Sequence, residues 1–120
     1  MNKRRKERIA RRKALEDWSK AVRTRDGRCM ICNKLKGLNA HHILSKRLYP
    51  EFKLEVWNGI SLCPFHHKYS RMSPHQDAIG FASFMLLRNP ELFYALIDKI
   101  RAKTMSKAVS EGSRDIRSKL

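Results

Sequence analysis

Leu62-Cys63-Pro64-Phe65-His66-His67 is the stretch on which the fold turns, because it sets one thiol and two imidazoles around a proline. Pro64 suits the first turn of a helix, where its missing amide hydrogen costs nothing, so His66 and His67 are expected on a short helix. Just upstream, Ile60 to Leu62 is a short apolar segment that fits a strand, and Ala40 to Leu44 is a second one, carrying His41 and His42. A longer loop with Tyr49, Pro50 and Phe52 separates them, and the two strands should pair antiparallel. Asn58-Gly59 is a strong hairpin-turn dipeptide, here between Leu54 to Trp57 and Ile60 to Leu62.

Farther out, Cys29 and Cys32 form a knuckle between the turns Asp26-Gly27 and Lys36-Gly37. The stretch Asn2 to Arg25 is rich in Lys and Arg. Its residues Leu15, Trp18 and Val22 recur at helical spacing, so its second half is expected as a docked helix and its first dozen residues as frayed. Downstream, Ser73-Pro74-His75-Gln76 has the capping-box arrangement and should begin a helix. Asn89-Pro90 repeats the device ahead of the apolar stripe Phe93, Leu96, Ile97 and Ile100, and the two helices are expected to cover the metal-binding centre. Beyond Ala102 the chain turns polar and basic, as a mobile or nucleic-acid-tracking tail would.

At 120 residues one small core is expected, of a size at which a metal staple is welcome. The 27 Lys and Arg against 11 Asp and Glu give a net charge of +16, a field that attracts polyanions and makes nucleic acid the natural partner. Charge alone also fits a protein that is basic for solubility or for a ribosome-like structural role. Three cysteines cannot all pair with one another, so a reducing compartment is expected. No apolar run approaches the length of a membrane span, and the basic N-terminus offers only Ile9, Leu15 and Trp18 for an apolar face, so the expectation is a soluble, cytoplasmic protein with no membrane partner.

Every Cys and every His lies between Cys29 and His75. The two-residue gap of Cys29 and Cys32 recurs in Cys63 and His66, which together make a Cys3His set of the kind that closes around structural zinc. His67 competes with His66 for the fourth corner; the repeated gap favours His66. His41, His42 and His67 are then left over.

The ordered pattern of a C-x-x-C knuckle, His41-His42-Ile43, Asn58 and Leu62 to His67 resembles the HNH (ββα-metal) endonucleases over about Trp18 to Tyr69. That resemblance implies an α+β fold: a small ββα-metal core stapled by zinc, flanked by an N-terminal basic helix and C-terminal helices. It divides the chain into a basic extension 1–17, a nuclease domain with covering helices 18–101 and a basic tail 102–120. It further implies His42 as general base, Asn58 as the catalytic partner that sets its geometry, and His41 and His67 as ligands of a catalytic Mg2+, Mn2+ or Ni2+ ion. The expected substrate is DNA, double-stranded, cut to a 5′-phosphate and a 3′-hydroxyl, with no small-molecule substrate. The small format is similar to that of phage or mobile-element proteins, the first of which would place it in a host cytoplasm.

The departure from the family pattern is His66, where a fourth Cys is usual. His75 has no place in the minimal motif and stands as an additional site candidate, on the ground that a capped helix start favours anions. The backbone-phosphate candidates are Arg4, Arg5, Arg11, Arg12, Lys46, Arg47, Lys68 and Arg71. Duller readings stand beside these: adjacent histidines in a strand are often core packing, and Asn58 fits turn geometry. The alternative function is a non-catalytic, zinc-stabilised nucleic-acid-binding module.

Overall fold

Asn2 opens the first element, its Oδ1 accepting from Arg5 N at 2.9 Å to cap α1 (Lys3–Asp26). The structure, a computed structural model, describes residues 2–69 and 73–110. The helix closes at Gly27, whose left-handed φ of 68° needs no Cβ and returns its N–H to Arg23 O at 2.8 Å. The first dozen residues, expected to fray, are helical from Lys3 onward. They are good helix formers, with the i,i+4 pairs Lys3–Glu7 at 4.0 Å and Lys13–Asp17 at 3.7 Å adding to the ladder. The boundary expected at 17/18 therefore falls inside one continuous helix.

The stripe in the second half of α1 docks as its spacing requires: Trp18 and Val22 are buried and Leu15 is half-buried. They pack on a two-stranded antiparallel sheet, β1 (Asn39–His42) and β2 (Gly59–Leu62), in which His41 pairs with Ile60 and His42 with Gly59. β1 stops two residues short of its expected end. Ile43 N still donates in register to Asn58 O at 3.1 Å, but Leu44 gives its main-chain groups to the Asn58 side chain, and the ladder ends there.

Asn58-Gly59 is not the hairpin turn its composition suggests. Val56–Asn58 forms a 3-10 turn and Gly59 is extended, at φ −133° and ψ 150°. Glycine is needed for closeness: a Cβ at position 59 would overlap Val22 Cγ2 and lie 2.8 Å from Trp18 Cζ2, so α1 seats directly on the strand. Polar groups fasten the same junction. Trp18 Nε1 donates to Glu55 O at 2.8 Å, Arg25 donates to Val56 O and Gly59 O, and Ser61 N donates to Asp26 Oδ2 at 2.8 Å.

After β2, Pro64 leads into the expected short helix carrying His66 and His67, which is a single π-helical turn, Phe65–Tyr69. The capping box is displaced. Residues 73–77 form an isolated turn, with Asp77 N returning to Ser73 O at 2.9 Å. The cap of α2 (Ala78–Arg88) is Asp77, whose Oδ1 accepts from Gly80 N at 2.8 Å. α3 (Pro90–Ser110) starts as read, with Asn89 Oδ1 accepting from Leu92 N at 3.2 Å. Residues 102–110, expected in the tail, continue α3, while 111–120 lie outside the described residues.

The result is a small α+β protein whose chain divides into two compact units, 1–81 and 82–120, a boundary inside the expected 18–101 domain. The first holds the sheet, both Cys/His clusters and a core of Trp18, Val22, Leu44, Ile60, Leu62 and Phe81. In the second, Leu96 is buried and Phe93, Ile97 and Ile100 are half-buried, matching the stripe. No described helix is long and apolar enough to cross a membrane.

Candidate functional site

Two clusters of ligand-type side chains lie on this scaffold, and the first is built by the knuckle. Cys29 N donates to Lys34 O and Asn33 N to Cys29 O, both at 2.8 Å, a reversal completed by Asn33 at φ 67°, a conformation asparagine tolerates. Met30 N donates to Ser61 O at 3.0 Å and ties the knuckle to β2, bringing Cys29 and Cys32 beside Cys63 and His66. Cys32 Sγ and Cys63 Sγ are 3.8 Å apart, and His66 Nδ1 is 3.3 Å from Cys63 Sγ and 3.8 Å from Cys29 Sγ. Sulfurs at about 2.3 Å from a tetrahedral zinc stand roughly 3.8 Å from one another, so the donor set fits that ion.

Burial pushes the Cys29 thiol up, but hydrogen bonding from the backbone of Cys63, Cys32 and Ile31 outweighs it and draws the thiol below its usual range. At Cys32, donation from the Lys34 backbone lowers the thiol, while burial and the neighbouring thiols of Cys29 and Cys63 raise it and prevail. Thiols that resist ionising together are stabilised as thiolates by a shared cation. The contest for the fourth corner is resolved by geometry: His66 faces the sulfurs and His67 turns to the second cluster.

That second cluster is His41, His67 and His75. His41 comes from β1, His67 from the π-helical turn, and His75 from the turn that the sequence read as a helix start. Ring centroids are 5.2 Å apart for His41 and His67, 5.0 Å for His41 and His75, and 4.7 Å for His67 and His75. The Nε2 atoms of His67 and His75 approach to 3.1 Å. Ser73 is the residue that sequence reasoning missed. Its hydroxyl donates to His67 O and accepts from His75 N at 3.1 Å, while Gln76 Nε2 donates to Lys68 O at 2.7 Å, so the turn is buttoned to the π-helical segment. The only sequence signal was the Ser-Pro pair, which served as the cap of a turn instead.

Burial, then repulsion from His67, His75 and His42, holds the His41 imidazolium down to about 3. Burial, then His75 and Lys68, also lowers His67. Both rings are therefore neutral at pH 7 and carry a lone pair for a cation. No carboxylate joins the cluster among the described residues, and the Phe81 ring stands edge-on to His41, 6.1 Å away. Three imidazoles without carboxylate suit borderline transition metals better than magnesium.

His42 goes the other way, as strand alternation requires. Its ring stacks on Trp18, centroids 3.8 Å apart and planes 4° off parallel, and its Nε2 meets Lys53 O at 2.8 Å. A carbonyl only accepts, so Nε2 carries the proton and the lone pair of the neutral ring is on Nδ1. Burial, opposed by the Lys53 carbonyl and reinforced by Lys46, lowers its imidazolium below the usual range.

Asn58 is fully buried, and its amide is engaged by main chain: Oδ1 accepts from Leu44 N at 2.7 Å, and Nδ2 donates to Leu44 O at 3.0 Å and Phe52 O at 3.1 Å. It ties down Phe52 O, next to the Lys53 carbonyl that meets His42. Of the basic candidates, Arg4, Arg5, Arg11 and Arg12 are exposed on α1, and Arg47 is exposed on the 43–55 loop. Lys46 and Lys68 are exposed near enough to His42 and His67 to depress them. Arg71 lies outside the described residues. No family model, curated protein or solved structure matches the chain.

Proposed function

We propose that the protein is a metal-dependent endonuclease of the HNH kind that hydrolyses phosphodiester bonds in double-stranded DNA, with its ββα-metal core braced by zinc on Cys29, Cys32, Cys63 and His66. The observation that carries this reading is the division of labour between adjacent strand residues: His41 converges with His67 and His75, while His42 is held by Trp18 and Lys53 O with Nδ1 as its unprotonated nitrogen. An imidazole fixed in one tautomer, and neutral at pH 7, can take a proton from water.

In this mechanism His42 Nδ1 accepts the proton as water attacks phosphorus. The bond from phosphorus to the 3′ oxygen breaks with its electron pair on that oxygen, which takes a proton from solvent, leaving a 5′-phosphate and a 3′-hydroxyl. A divalent ion on His41, His67 and His75 would neutralise charge on the phosphate oxygens and the leaving oxygen. Lys46 and Lys68 add positive charge beside the two imidazole sites, favouring phosphate there.

The test is supercoiled plasmid incubated with Mg2+, Mn2+ or Ni2+, together with elemental analysis of the purified chain. Nicked or linear product from the parent, none from folded His42→Ala protein, and one chelation-resistant zinc per chain support the reading. Equal cutting by the variant removes His42 as the base. One tight zinc with no cleavage under any divalent metal supports the binding module, for which a ring packed flat on tryptophan is simply part of the core.

A further inference from the structure

The first half of α1 has no use in the chemistry above. It is exposed from Asn2 to Lys13, yet it is capped and helical over its whole length. An isolated helix of that length is marginal in water, so it persists as an extension of the docked half.

Its charges are sorted by face. At 100° per residue, Arg4 and Arg11 line up with Trp18, and Arg8 lines up with Leu15 and Val22, each row stepping back two turns at a time. The arginine row thus continues the face that seats on the sheet and carries the Trp18–His42 stack. Arg11 stands roughly 10 Å and Arg4 roughly 21 Å along the axis from Trp18. Of the acids, Asp17 lies off this row, paired with Lys13, while Glu7 lies on its edge between Arg4 and Arg11 and is paired with Lys3. Arg8, Arg11, Arg12 and Arg23, together with Leu15 and the acid Glu16, line an open groove of about 480 Å³.

We propose that this arginine row is a phosphate-tracking arm that holds double-stranded DNA to one side of the bond beside His42. The inference rests on the nuclease reading for the position of the cut, but the arm's contact with DNA is separable from it. Guanidinium groups suit phosphate by their bidentate geometry, and like charges crowded on one helix face gain most from a polyanion. From Arg4 to Arg12 the helix advances about 12 Å. One strand offers a phosphate every ~3.4 Å of duplex axis, so the arm reaches about three.

Two charge-matched variants test this, in the His42→Ala background so that DNA survives: Arg8, Arg11 and Arg12 to Gln, and Lys3, Lys6 and Lys13 to Gln. Glutamine keeps helix propensity, and circular dichroism verifies it. DNA affinity is measured against salt. The arginine variant is expected to flatten the logarithmic salt slope by about 3 and the lysine variant by less than about 1. Hydroxyl-radical footprints should lose protection on one flank only. Equal losses in both variants mean general charge attraction and overturn the arm, as does tighter binding to duplex RNA than to DNA. If the parent never cuts DNA but the arginine variant alone loses slope, the arm stands and the nuclease reading falls.

Discussion

The His42 ring lies flat on the Trp18 indole, 3.8 Å between centroids, while the indole Nε1 donates to Glu55 O and the imidazole Nε2 to Lys53 O. One stack therefore clamps the end of β1, the middle of α1 and the 53–55 loop, and it fixes the tautomer of the proposed base.

Trp18→Phe should separate that clamp from the core. Most apolar burial is kept, the bond to Glu55 O is lost at about 1 kcal/mol, and the urea midpoint falls modestly. Plasmid nicking should slow by about tenfold, the equivalent of roughly 1.4 kcal/mol in barrier, because the base loses its seat. Unchanged nicking by this variant would show that the stack does not position His42.

Asn58→Ala should act on stability first. It leaves Leu44 N, Leu44 O and Phe52 O without their side-chain partner in a buried setting, at a cost on the order of 3 kcal/mol. Urea denaturation reads this directly. A loss below about 1 kcal/mol would mean that water or a relaxed loop replaces the strap.

Acid should weaken protein that carries no metal on the imidazole cluster. His41 and His67 stay neutral when folded, His41 down to about 3, whereas histidines of the unfolded chain take protons near ~6.5. The unfolded chain then binds more protons, so stability is full above about 6.5 and declines as pH falls from there toward 3. The urea midpoint is expected to be lower at pH 5 than at pH 7, and His41→Phe should shrink the difference. A midpoint that holds or rises on acidification contradicts this.

Ser73→Ala should loosen His75 from His67. Cobalt or nickel titration is expected to show about tenfold weaker binding at the imidazole cluster, the usual range for losing an outer hydrogen bond, with zinc content unchanged. Loss of zinc along with it would mean that Ser73 supports the whole first unit and not this cluster.

Local pattern was enough for the docked stripe of α1, the Cys29–Cys32 knuckle, the two strands and the Asn89 cap, because helical period, ligand spacing and capping chemistry act over a few residues. It was also enough to pair Cys63 with His66. Which neighbour each group meets was not readable. Trp18 looked like core and is also the seat of His42; Asn58-Gly59 looked like a turn and is a strap followed by a close helix contact. Ser73 looked like a helix cap, yet it ties His75 to His67 while Asp77 caps the helix. These outcomes depend on strand register and on contacts between residues up to several tens of positions apart. Only the packed chain assigns each side chain to a face.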